Sequence, residues 1–236
     1  MKIPKALIAC EESQRVCIAM RENGIDCYSC DILPCSGGHP EWHFQRTIFD
    51  LIQGQTILKS QAGNLIAIPE RWDLIIAHPP CTYLTVTGNR WFDVEKYGQK
   101  AIERQKLRYQ AIVFFMEMVY ANADRIAVEN PIGIMNTAYK NPDQIIEPFM
   151  FGDPYKKSTC LWLKNLPPLV PSNIVEIDRS DYYEYVSKSG KIKHDSKYRS
   201  KCSYQDRSSH RSKTFPGIAK AMADQWGGLL LEEAET

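Results

Sequence analysis

Two short motifs carry side chains that could do chemistry together. Pro79-Pro80-Cys81-Thr82 follows directly on an apolar run, Trp72-Asp73-Leu74-Ile75-Ile76-Ala77, and Glu129-Asn130-Pro131 follows a second, Ile126-Ala127-Val128. Both runs have the length and composition of buried strands. A thiol is thus expected at the end of one strand and a carboxyl at the end of another. In an open α/β sheet, ligands and chemistry gather at the carboxyl ends of strands. A thiolate beside a protonated carboxyl suits attack on an electron-poor ring carbon while a ring nitrogen receives a proton. Burial in an apolar site would raise the carboxyl's pKa, as a proton donor near neutral pH requires. The plainer readings are a small buried hydrophobe for Cys81 and a turn carboxylate for Glu129. Two prolines ahead of the thiol and Asn-Pro behind the carboxyl set both residues apart from those readings.

The elements that must position these residues alternate along the chain. Ala6-Leu7-Ile8-Ala9-Cys10 reads as a buried strand, and Glu11-Glu12-Ser13-Gln14 opens a helix that Asn23-Gly24 stops. Residues 25–30 read as a second strand ended by Asp31, an acid about twenty positions after the first turn, where many nucleotide-binding folds hold ribose hydroxyls. A loop over 33–46 and a weak helix over 48–53 follow, then the strand at 72–77 and a loop over 82–97. A long amphipathic helix over 100–122, the strand at 126–128 and a strand over 159–163 complete this part. A last helix over 216–226 has Gly227-Gly228 as its stop. Alternating strands and helices predict an α/β fold with a mostly parallel sheet and flanking helices.

Composition is ordinary for a globular chain of 236 residues, with 44% hydrophobic and 24% charged residues, so a sizeable core is expected. The net charge of +1 means that any signal for a polyanionic partner must be local. It is local: an acidic, tyrosine-rich stretch over 176–185 gives way to a basic, serine-rich segment over 188–213. That segment suits phosphate contact and base stacking, or is a solvated loop. No apolar stretch approaches the roughly 20 residues needed to span a bilayer, so no membrane partner is expected. Met1-Lys2-Ile3-Pro4-Lys5 leads straight into a strand, so a cytoplasmic location with reduced thiols is expected for the eight cysteines. Cys30, Cys35, His39 and His43 mix thiols and imidazoles, so zinc is an alternative for that loop. The metal-free reading has Cys30 buried in a strand and the histidines at the mouth of the site.

Taken in order, these motifs resemble those of the DNA cytosine-5 methyltransferases, and a small, phage-type member in particular. Pro80-Cys81 matches the family's nucleophile motif, and Glu129-Asn130-Pro131 its Glu-Asn-Val motif with proline for valine. Residues 7–10 match its cofactor strand, Asp31 its second-strand acid, Asp50 the acid near the adenine, and residues 216–222 its last helix. The family's glycine-rich first loop is replaced by Glu11-Glu12-Ser13, and Lys156-Lys157-Ser158-Thr159 stands where the family has a Gln-x-Arg-x-Arg strand.

The resemblance implies a Rossmann-like, S-adenosylmethionine-dependent methyltransferase. Cys81 would add to carbon 6 of cytosine, Glu129 would protonate nitrogen 3, and carbon 5 would take the methyl group. It implies cofactor contacts at Cys10, Glu11, Ser13, Asp31, Asp50 and Pro79, with capping of the first helix as the alternative for Glu11 and Ser13. Substrate contacts fall to Pro80, Thr82, Asn130, Lys157 and Thr159. Residues 1–165 would form the catalytic core, 166–206 a short recognition insertion or basic loop, and 207–236 a helix completing the core. DNA is the expected partner, through the basic 188–213 segment among others, and a phage-encoded protein would act in the host cytoplasm. A free pyrimidine nucleotide as substrate, or a catalytically silent nucleic-acid-binding protein of the same fold, are the alternatives.

Overall fold

The computed structural model describes residues 3–54, 56–177, 182–186, 190, 192–196 and 213–235. The chain runs β1 (Lys5–Ala9), α1 (Arg15–Glu22), β2 (Asp26–Asp31), β3 (His43–Gln45) and α2 (Phe49–Ile52). A small hairpin, β4 (Ile57–Lys59) and β5 (Leu65–Ala67), precedes β6 (Trp72–Ala77). Then come α3 (Val94–Tyr97), α4 (Gln99–Val119), β7 (Ala123–Pro131), α5 (Met135–Ala138), β8 (Gln144–Ile146) and β9 (Thr159–Lys164). A second hairpin, β10 (Tyr182–Val186) and β11 (Ile192–Ser196), is followed by α6 (Pro216–Met222) and α7 (Gly228–Ala234).

One seven-stranded sheet has the order β3-β2-β1-β6-β7-β9-β8. The β3-β2-β1-β6-β7 run is parallel throughout, and β9 lies antiparallel to both β7 and β8. The fold is thus α/β with a mostly parallel sheet flanked by helices, compatible with a Rossmann-like arrangement. The dinucleotide-binding order 3-2-1-4-5-6 shares its first five places. Here a reversed strand is inserted before the far edge.

The strand order reverses between β1 and β6, and the carboxyl ends of the two strands flanking such a switch point are where open α/β sheets form a ligand crevice. The strands are apolar on both faces because both faces are covered. Ala6, Ile8, Leu74 and Ile76 pack with Val16, Cys17 and Met20 of α1 and with Ile218, Met222 and Trp226 of the C-terminal helix. Leu7, Ala9, Ile75 and Ala77 pack on the other face with Leu51 of α2 and Phe115 and Met118 of α4. Each buried Leu or Ile contributes roughly 1.5–3 kcal/mol, so both layers hold the central strands, and the strand ends, in register.

Three local expectations are corrected. Glu129-Asn130-Pro131 is not a turn after a strand; β7 continues through Pro131, whose partner is Thr159 on β9. The first helix begins at Arg15, and Glu11 to Gln14 form a tight turn in which Cys10 and Gln14 take left-handed backbone (φ 60° and 58°). The last helix does not stop at Gly227-Gly228. A π-helical turn, Ala223–Gly227, carries it on to Ala234, with both glycines in right-handed helical backbone and buried Gly227 against Met20 and Ile25. The short strands β3, β4, β5 and β8 have no sequence signature, because at three residues each they are too short to show a period.

Chain beyond residue 165 still follows the core. Leu169 is buried, the Val170 N–H is accepted by Gln225, and Asn173 and Val175 donate to Met150 and Phe149 carbonyls. Most of the basic 188–213 segment lies outside the described residues. No helix among the described residues is long and apolar enough to cross a membrane.

Gly217, in the first turn of α6, lies so close to the Phe151 carbonyl oxygen that a Cβ would overlap it. Its N–H also donates to Asp153 at 2.8 Å. Gly217→Ala should lift α6 from the core and cost about 1–3 kcal/mol or more; urea denaturation of the variant against the parent measures the loss.

Candidate active site

The β6–β7 register brings the two motifs together. Ala77 pairs with Val128, so His78 and Glu129 leave that rung side by side, followed by Pro79 and Asn130. His78 Nδ1 meets Glu129 Oε2 at 3.1 Å, and the Asn130 amide donates to the Pro79 carbonyl at 2.7 Å. The chain after Cys81 then folds back onto the chain after Pro131. Thr85 forms an antiparallel bridge with Gly133, and Ile134 N–H donates to Leu84 O at 2.8 Å. Gly133 is obligatory there, since a Cβ would overlap the Leu84 carbonyl. The two motifs are therefore one locked unit.

Cys81 is exposed, whereas Cys17, Cys27, Cys30 and Cys160 are buried. Its carbonyl accepts the N–H groups of Leu84 and Thr85, so Cys81 opens a tight turn. Arg108 Nε donates to Tyr83 O at 2.9 Å, Arg104 reaches Thr82 O at 3.3 Å, and the Arg108 guanidinium stacks 3.3 Å from the Phe92 ring centre. This side of α4 thus carries the turn that presents the thiol.

The Glu129 side chain is only 18% exposed. Burial pushes its carboxyl up, but the His78 hydrogen bond and charge, together with the charge of Lys157, outweigh that and hold it below the ordinary value. The expectation of a raised pKa is corrected: the site is not apolar around this carboxyl. His78 is the residue that sequence reasoning passed over. Its signal was adjacency, one place before Pro79 on a strand neighbouring that of Glu129.

At the switch point, the His78 N–H donates to Ala9 O and the Glu11 N–H to Cys30 O. Glu11 is buried, and its carboxylate accepts the N–H groups of Val16 (2.7 Å) and Cys17 (3.2 Å) in the first turn of α1. It fills the helix N-terminus that would otherwise receive a ligand anion. Glu11 is therefore a helix cap, the alternative raised for it. Burial pushes its carboxyl up to about 7, with His78 pulling it down. The Cys10 thiol is pushed up to about 12 by burial and by Asp31, so it stays protonated. Asp31 ends β2 with its carboxyl raised by burial and partly steadied by the Leu33 N–H. Buried Pro79 borders the same crevice, and Ser13 is buried within the first turn.

The remaining candidates sort by position. Pro80 and Thr82 flank Cys81 and are exposed. Lys157 and Thr159 stand where β9 begins: Lys157 faces Glu129 electrostatically, and the buried Thr159 hydroxyl donates to Lys157 O at 3.1 Å. Glu147 orders that turn by accepting from Lys157 N and Ser158 Oγ. Asp50 is exposed on α2, in an ion pair with Arg46.

Three of the four zinc candidates have other partners. Both His43 ring nitrogens are engaged, by Ser29 Oγ at 2.9 Å and by Leu33 O at 3.0 Å. His39 stacks on Trp42 with its Nδ1 on Glu41, and Cys30 donates to Arg46 O. Among the described residues no three His, Cys, Asp or Glu converge on a metal position. Instead this loop is tied over the first turn by the buried Gln14 amide, which donates to Ser29 Oγ and His39 O and accepts from His39 N.

Two clefts, of about 300 and 440 Å³, lie elsewhere, against α4 and between α4, β7 and β9, and share no residue with the motif unit. Two buried polar atoms in the unit itself have no hydrogen-bond partner among the described residues: His78 Nε2 and Asn130 Oδ1. No protein-family model matches the chain, and no curated protein matches it in sequence.

Glu11 gives a pH signature. Its raised pKa means the folded protein holds this proton more tightly than the unfolded chain does. The stability it contributes is present below pH 4.5 and is lost as pH rises through about 7. Glu11→Gln keeps one capping oxygen and cannot titrate. Between pH 4.5 and 8 the parent should lose on the order of 3 kcal/mol more than the variant, measured by denaturant titration at both pH values.

Proposed function

We propose that this protein transfers a methyl group from S-adenosylmethionine to carbon 5 of cytosine in DNA through a Cys81 adduct, on a Rossmann-like methyltransferase core. The observation that carries the reading is the locked pairing of an exposed Cys81 turn with the Glu129-Asn130 segment at the carboxyl ends of adjacent parallel strands.

The crevice residues fit this cofactor. S-adenosylmethionine, when bound, supplies an electrophilic methyl on a sulfonium and brings no phosphate. Glu11 already occupies the anion place at the start of α1, which disfavours a pyrophosphate and tolerates a cation. Asp31 would hold ribose hydroxyls, as the acid at the second strand does in related sheets. The absent glycines are replaced by the left-handed backbone of Cys10 and Gln14, which makes the same tight turn with side chains retained.

Cys81 thiolate would add to carbon 6, making carbon 5 nucleophilic. Glu129, at nitrogen 3, would give a proton as the sulfur adds; carbon 5 would take the methyl group and then release its own proton to solvent, and nitrogen 3 would return its proton to Glu129 as the sulfur leaves. Asn130 Oδ1, buried and unpartnered, is an acceptor suited to the exocyclic amine of cytosine. The Lys157 charge, directed at the same region, would favour an electron-rich ring. The base must leave the duplex stack to reach the thiol. A free pyrimidine nucleotide would meet the same residues, so the polymer requirement is the point to measure.

The test supplies radiolabelled S-adenosylmethionine with duplex DNA, single-stranded DNA or dCMP. Label is expected at DNA cytosine, falling steeply with salt as phosphate contacts are screened. Cys81→Ala should abolish it, and Glu129→Gln should lower kcat on the order of 10²-fold or more. Label in dCMP alone would move the substrate to free nucleotides. No label and no cofactor binding by calorimetry would overturn the reading.

A further inference from the structure

Resting on that reading, we infer that His78 is the positioning residue that keeps a transferable proton at Glu129. Its imidazole and the Glu129 carboxyl form a dyad that shares one proton.

The geometry carries this. His78 is locked by its own backbone, N–H to Ala9 O at 2.9 Å, and by the β6–β7 register. Its side chain is 7% exposed and its Nδ1 lies 3.1 Å from Glu129 Oε2. Its Nε2 is buried with no hydrogen-bond partner among the described residues. Such an atom is retained at a cost, and a structural imidazole would have both nitrogens paired, as His43 does in this same chain. The charged groups around the dyad are few. Glu11 faces His78 from the first turn; Lys157 and Cys160 face Glu129 from β9 and the turn before it. Two carboxyls, Glu11 and Glu129, face the imidazole, and the Lys157 charge favours the Glu129 carboxylate.

Glu129 on its own, held below the ordinary carboxyl value, would enter the reaction without the proton that nitrogen 3 must receive. With His78 as the supplier, Glu129 does not need to hold that proton beforehand. As the Cys81 sulfur bonds to carbon 6, the electron pair of the ring moves toward carbon 5 and nitrogen 3. Nitrogen 3 takes a proton from Glu129, and Glu129 takes the Nδ1 proton of His78. Carbon 5 then bonds to the methyl group, and its own hydrogen leaves as a proton to solvent. That C–H electron pair reforms the ring double bond and expels the Cys81 thiolate, nitrogen 3 returns its proton, and the dyad is restored, so no outside acid is consumed.

His78→Asn places an amide donor near the Nδ1 position and cannot carry the proton. If His78 supplies the proton, the Asn variant of the full chain should fold and bind cofactor as the parent does. It should lose on the order of 10²-fold in kcat with KM little changed. Its kcat/KM profile should also move to the titration of a lone carboxyl. A purely structural role would be rescued by the amide, and parent-like kcat with an unchanged pH profile would overturn the proposal. Imidazole NMR gives a readout free of turnover. The His78 ring resonances should titrate differently in Glu129→Gln, and identical titration would equally overturn the dyad. If the parent transfers no methyl at all, the reading of the preceding subsection fails and the proton-supply role falls with it. An active parent with an unaffected Asn variant sinks the dyad alone.

Discussion

The pairing of Ala77 with Val128 is the constraint on which the candidate site depends. In a parallel sheet a slip of one residue would turn every side chain to the opposite face. It would also separate His78 from Glu129 and Pro79 from Asn130. The register is fixed far from the site, by apolar side chains packed on both faces of β6 and β7. Hydrophobic burial with no chemistry of its own therefore sets polar distances of about 3 Å at the strand ends. Beyond the strands the same precision is kept by two backbone contacts, the Thr85–Gly133 bridge and the Ile134 N–H on Leu84 O.

A second constraint governs the first turn. Cys10 and Gln14 adopt left-handed backbone that most side chains avoid, and such residues persist only where their surroundings over-determine them. Here the surroundings are specific. The Gln14 amide bonds His39 twice in the loop ahead of β3 and Ser29 of β2 once, and Lys213 and Ser36 close on Glu12 from the C-terminal side and from that loop. Side chains, rather than bare glycine backbone, organise the entrance to the crevice.

Much of this was legible in the sequence. The long apolar runs at β1, β6 and β7 showed themselves by composition, and the prolines around Cys81 marked its strand end. The α/β class followed from alternation. What was not legible had physical causes. Glu129 looked like a turn residue because Asn-Pro usually punctuates; only the antiparallel partner β9 explains why the strand runs on. Its carboxyl looked apolar in setting because its partner, His78, comes from another strand. Gly227-Gly228 has the composition of a stop, yet neither glycine leaves right-handed helical backbone, so the chain does not reverse there. The mixed cysteines and histidines suggested a metal from residue types, and only hydrogen-bond accounting shows that the His43 nitrogens are both spoken for.

The carboxylate of Glu11 on the first turn of α1 has a consequence for selectivity. Phosphorylated nucleotides and dinucleotides are the natural competitors for any crevice of this topology, and their phosphates seek helix N-termini. Glu11 is a resident rival for that position. Tethered four residues ahead of the helix, it acts at an effective concentration that a diffusing metabolite in a cell cannot match. On the proposed reading, phosphate-bearing guests are kept from this turn by occupancy, before shape or hydrogen bonding is consulted.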